Sequence, residues 1–206
     1  MEEMMYNDRA RNELLAKYLW SMFLLSILQI ITNLITGQLG KYFPTLSTVG
    51  SVLQTICLAV CIFLLLKLAP VCLHFKQAAT GLIVELVLNL IALAIIGMEL
   101  EVPALTVVLA LVVIVVNLYA TYHKFMGYAE ILVGVDDEQS QKWQSLWRLN
   151  MTAIICTAVS IFLAFIPILG VIFVLALVVF VLVIGIMELV YLYRTAQLFR
   201  QLVSQQ

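Results

Sequence analysis

The sequence predicts an all-α protein, a polytopic transmembrane helical bundle of six spans, and three observations predict it. Of 206 residues, 64% are hydrophobic and 11% charged, and the mean hydropathy of +1.11 describes a chain with too little polar surface for water. Six stretches approach the roughly 20 apolar residues that cross a hydrocarbon core of about 30 Å. Their Leu, Ile, Val and Phe run continuously rather than alternating, which excludes the period-two pattern of a membrane β-barrel and leaves helices. The chain reads as a single integral membrane domain over residues 1–206, with the lipid bilayer as its first partner.

The first span is placed near residues 18–36. The preceding MEEMMYNDRARNELLAK mixes acids with bases, and ITNLITGQLG lacks small-residue cleavage character, so this helix is read as retained rather than as a signal peptide. Ser26, Gln29, Asn33 and Thr36 recur at spacings of three and four and draw a polar stripe along it. The second span, near 48–69, carries Gln54 and Thr55 in its first half and Lys67 at its end. The third, near 80–98, contains Glu85 with Asn89 one turn on, sharing a face with Gly81 and Ala92. That face is expected to point into the bundle, because a carboxylate facing lipid costs a few kcal/mol near the membrane centre.

The fourth span, near 104–122, includes Asn117. After it comes GYAEILVGVDDEQSQKWQSLWRLN, the longest polar segment. Asp136, Asp137 and Glu138 favour a helix start there, and Trp143, Leu146 and Trp147 fall on one face beside Lys142 and Arg148. A short helix lying in the headgroup region near 137–149 is expected, with indoles at the depth they prefer; a protein partner docking on the 136–149 loop is the functional alternative. The fifth span, near 150–166, offers Thr152, Thr157 and Ser160. The sixth, near 170–191, carries Glu188 close to its end.

Charge placement orients the bundle. With the N-terminus inside, Arg9, Arg11, Lys17, Lys67, Lys76, Lys124, Lys142, Arg148, Arg194 and Arg200 lie on one side and Lys41 alone on the other, ten of the 11 basic residues against one. The positive-inside rule then puts both termini in the cytoplasm of a cell membrane, with a bacterial plasma membrane expected. The external turns become GQLGKYFPTLST, MELEVPA and FIPILGV, each with one proline: Pro44, Pro103 and Pro167.

One proline per external turn suggests three helical hairpins in series. KLAPVCLHFKQA, NLYATYHKFMGYA and ELVYLYRTAQLF align from Lys67, Asn117 and Glu188, which places these three at one depth in alternate helices. Glu188 is accordingly expected to pair with Lys67, directly or through Asn117. Lys67, Glu85, Asn89, Asn117 and Glu188 form the candidate polar pathway or intramembrane network, running from the midplane to the cytoplasm.

Enzyme chemistry finds little support, and no metal, cofactor or nucleic-acid partner is expected. His74 and His123 are the only histidines and sit at helix ends. The four cysteines are scattered without a C-x-x-C, and no P-loop, G-x-G-x-x-G, H-E-x-x-H or G-x-S-x-G occurs. Six spans in about 200 residues is similar to the substrate-binding subunits of vitamin importers, and three two-helix units resemble mitochondrial carriers. The A-x-x-x-A face of the former and the P-x-[DE]-x-x-[KR] signature of the latter are absent, so the likeness is one of architecture and implies no function.

Two functions fit: a transporter or channel for a small solute or ion, or a non-transporting accessory or scaffold protein whose polar residues hold the bundle together. Charged residues on three different helices exceed what assembly needs and favour the first. A water-accessible cavity reaching Glu85 is the feature that separates them.

Overall fold

The computed structural model describes residues 2–34, 36, 44–97, 103–163 and 167–205. Among them are six helices and no strand: α1 (Glu2–Leu34), α2 (Pro44–Leu68), α3 (Leu73–Gly97), α4 (Pro103–Glu130), α5 (Asp137–Leu163) and α6 (Pro167–Gln205). The three prolines expected in the external turns each open a helix, where the missing N–H forfeits no intrahelical bond and the fixed φ suits the first turn. The turns themselves, with Lys41 and Glu101, lie outside the described residues.

Among the described residues five helices are long and apolar enough to cross a membrane, and this is a helical membrane protein: α1, α2, α3, α4 and α6 each contain such a stretch. The expected fifth span falls on the second half of α5, and residues 164–166 lie outside the described residues. All of these helices but α2 outrun the spans expected for them at the end that carries both termini. At about 1.5 Å per residue the 39-residue α6 is about 58 Å long, roughly twice a hydrocarbon core.

Each helix packs on its neighbours in the chain, and α6 closes on α1, so the six form a ring in the order 1-2-3-4-5-6. Odd and even helices alternate around it, as hairpins in series require. Small residues let the walls approach. A Cβ on Gly81 of α3 would stand 2.9 Å from Ala120 Cβ of α4, and one on Gly50 of α2 would collide with Thr36 Oγ1 after α1.

The core lies at the end carrying the termini, called here the basic end. Leu15, Leu19, Leu65, Leu68, Phe75, Phe125, Tyr128, Trp143, Leu146 and Phe199 are fully buried there. Towards the opposite end, α4 and α6 expose Val107, Leu111, Val115, Val171, Leu175 and Val179. That apolar surface suits lipid and needs no protein cover.

The headgroup helix expected at 137–149 is corrected by the structure. α4 continues to Glu130, a tight turn occupies 131–136, and 137–149 is the first half of the continuous α5. The acids start a helix as expected: Asp136 Oδ1 accepts from Gln139 N at 2.9 Å as an N-cap. Gly134, at φ 76°, makes the left-handed turn before it. The indole face fails as an interfacial belt because neighbours bury it. Trp143 and Leu146 are wholly covered, with Trp143 between Phe125, Tyr128 and Tyr191.

Gly127 tests how tightly this end is packed. A Cβ there would lie 2.7 Å from the ring of Phe75, which is itself fully buried. Gly127→Ala is expected to cost about 1–3 kcal/mol, measured as a loss of thermal stability in detergent. A neutral result would mean that the ring is free to move.

Candidate functional site

On the far side of this packed end, α1–α4 line a half-open cavity of about 580 Å³. Its polar lining is Gln29 and Asn33 from α1, Gln54 and Thr55 from α2, Glu85 and Asn89 from α3, and Asn117, Thr121 and Lys124 from α4. The stripe on the first span, the pair on the second and the acidic face of the third therefore meet in one space. A polar side chain facing lipid costs free energy, whereas one facing a wet cavity does not, so segregating these groups inward is what the bilayer demands.

Two contacts cross the cavity walls. Asn117 Nδ2 donates to Glu85 Oε2 at 3.0 Å, tying α4 to α3, and Gln54 Nε2 donates to Asn33 Oδ1, tying α2 to α1. Asn33, Thr55, Asn89 and Asn117 remain exposed to the open space. Glu85 has no basic side chain within ion-pair distance among the described residues.

The expected Glu188–Lys67 pair is corrected. Lys124 Nζ donates to Glu188 Oε1 at 2.8 Å, with each side chain about a quarter exposed. Lys67 is exposed, its ammonium 5.4 Å from the centre of the Phe63 ring. The reason is azimuth. Leu64, Leu65 and Leu68 form the buried face of α2, and Lys67 shares the outer face with Phe63 and Leu66. Aligning helix ends sets a residue's depth but not its rotation about the axis.

Lys124 lies seven residues beyond Asn117 on α4, about 10 Å deeper; it is the lining residue nearest the basic end, and Glu188 of α6 holds its ammonium from outside the lining. One turn further, the buried Tyr128 donates its hydroxyl to Met22 Sδ at 3.4 Å. Around it, Phe75 and Trp143 pack on the Tyr128 ring, and Phe125 packs on Trp143. Trp143 Nε1 donates to Thr195 Oγ1 at 3.1 Å, which in turn donates to the carbonyl of Tyr191 at 2.8 Å.

The polar path expected to run to the basic end therefore stops at an ion pair backed by an aromatic plug. The α5 hydroxyls take no part, since Thr152, Thr157 and Ser160 donate to carbonyls of their own helix. Trp143 and Leu146, read as a docking face, offer no surface to a partner. Trp147 is half-buried against Tyr122 and Phe125.

At the basic end the two histidines meet, His74 Nδ1 to His123 Nδ1 at 2.7 Å, so one ring donates and the other accepts. Cys72, in the α2–α3 turn, donates its thiol to Glu130 Oε2 at 2.9 Å. Burial, reinforced by that bond, pushes the Cys72 thiol up to about 11. Among the described residues no group of three or more His, Cys, Asp or Glu is placed to hold a metal ion. Neither Lys124 nor the histidine pair was singled out as a site from the sequence. The available signal was position alone: His74 is the second residue of α3, and His123 and Lys124 lie about two turns before the end of α4. No protein-family model matches the chain, and no curated protein or solved structure is significantly similar to it.

Proposed function

We propose that the protein is a multi-pass transporter or channel of a bacterial plasma membrane, moving a small solute or ion, with both termini and the basic end in the cytoplasm. The observation that carries this reading is the cavity. Polar groups from four helices surround a space of about 580 Å³ that reaches Glu85, within the roughly 300–1,000 Å³ range of small-molecule sites. Bundle assembly alone calls for interhelical hydrogen bonds worth about 0.6 kcal/mol each, and it leaves no reason for Asn89 to face open space. The ten-to-one bias of basic residues supports the orientation. In this reading the Lys124–Glu188 pair and the plug beneath it form the cytoplasmic barrier of an outward-facing state, and alternating access requires that barrier to part. The reading assigns the protein no catalytic step.

The test is solute entry into proteoliposomes, followed by light scattering with small neutral, cationic and anionic solutes. Native protein is expected to speed entry of at least one class over empty vesicles. Thr55→Trp, which fills the cavity from an exposed position, is expected to slow that entry at least tenfold with unchanged yield. Vesicles no leakier than empty ones to every solute would replace transport with a scaffolding role.

A further inference from the structure

Resting on the transport reading, we infer that the cavity is a binding site for a small protonated primary amine, with Glu85 as its carboxylate anchor. The charges select a cation. Lys124 also lines the cavity but is already matched by Glu188 at 2.8 Å, so of the three charges Glu85 is the one without an ionic partner and their sum is one negative charge, which favours a cation. Glu85 spends Oε2 on Asn117, and Oε1 keeps its lone pairs for a ligand. That bond also holds the carboxylate in place before anything binds, which reduces the ordering cost of binding.

The lining distinguishes among cations. A divalent ion wants six or more oxygens closing around it, whereas here one carboxylate stands in a space many times the volume of an ion, and no metal-holding group occurs among the described residues. Quaternary ammonium ligands are recognised by aromatic cages, and the cavity lining contains no aromatic side chain. A primary ammonium instead carries three N–H donors that need acceptors at close range. Glu85 Oε1 supplies one, and the side-chain carbonyl of Asn89, one helical turn along the same wall, supplies another. The cavity then leaves room for a short polar or apolar remainder against Leu58 and Leu86.

Binding of n-propylammonium and 1,4-diaminobutane to the purified protein in phosphatidylcholine nanodiscs, read by calorimetry, tests this. Both are expected to bind saturably, and tetramethylammonium, potassium ion and n-propanol at equal concentration are not. Glu85→Gln is expected to weaken amine binding at least tenfold. Asn89→Lys retains Glu85 but places an ammonium four residues from it, an internal competitor, and is expected to weaken binding as much, so it decides the matter if Glu85→Gln does not fold. Absence of amine binding, equal binding of potassium or tetramethylammonium, or native affinity in Asn89→Lys overturns the inference. Flux of other solutes without amine binding would overturn the substrate class and leave transport standing. Amine binding without flux of any solute would do the reverse.

Discussion

Trp143→Ala is expected to lower the stability of the protein by about 3–5 kcal/mol, the range for removing a large aromatic side chain from a packed core. Trp143 has no exposed surface and touches Phe125, Tyr128 and Tyr191, so its loss opens a void among rings from α4 and α6. Unfolding in detergent, followed by near-ultraviolet circular dichroism, measures it. Trp143→Phe keeps most of the ring but removes the N–H that Thr195 accepts, and should cost about 1 kcal/mol beyond the volume change. Trp147→Ala, at a half-buried position, should cost less than Trp143→Ala. If Trp143→Ala changes stability by under about 1 kcal/mol, the aromatic cluster does not hold the basic end together.

Breaking the Lys124–Glu188 pair is the second large effect. Removing one partner of a buried pair leaves the other uncompensated, at about 3–5 kcal/mol when burial is complete. With both side chains about a quarter exposed, about 2–3 kcal/mol is expected for Glu188→Gln or Lys124→Gln. The double variant Lys124→Met, Glu188→Leu should recover most of the loss, because neither charge then remains. Lys67→Gln, on the outer face of α2, should be neutral and additive with Glu188→Gln. Stability curves for these variants, together with the Lys124→Gln, Glu188→Gln and Lys67→Gln, Glu188→Gln doubles, give the two couplings. Independent losses at Lys124 and Glu188, or coupling of Glu188 to Lys67 instead, would reject the pair.

The polar stripes show why part of the site was legible. Gln29 and Asn33, and Glu85 and Asn89, sit four residues apart, with Gln54 beside Thr55, in otherwise apolar runs, and the cost of exposing them to lipid forces each group inward whatever its neighbours are. Their meeting in one cavity follows from that constraint once the helices pack in a ring. Lys124 was not legible in the same way. It stands near the end of α4 among Tyr122, His123 and Phe125, where a lysine can as well reach out to the headgroups. Only the position of α6 against α4 supplies Glu188 and turns it inward.

Composition and continuous apolar runs by themselves determined that this is a helical membrane protein, because a bilayer admits few backbone arrangements and those demand long unbroken apolar segments. Spacing along each helix likewise determined which polar residues share a face. Tertiary structure alone decided what those faces meet. The rotation of α2 about its axis put Lys67 outside, and the close approach of α3 to α4 at Gly81 brought Asn117 to Glu85. The stacking of α5 on α4 and α6 buried a tryptophan face that composition assigns equally well to a membrane surface. Depth and facing are set within a helix by its own residues, whereas a contact between helices depends on the relative rotation and offset of two rods, which neither sequence contains separately.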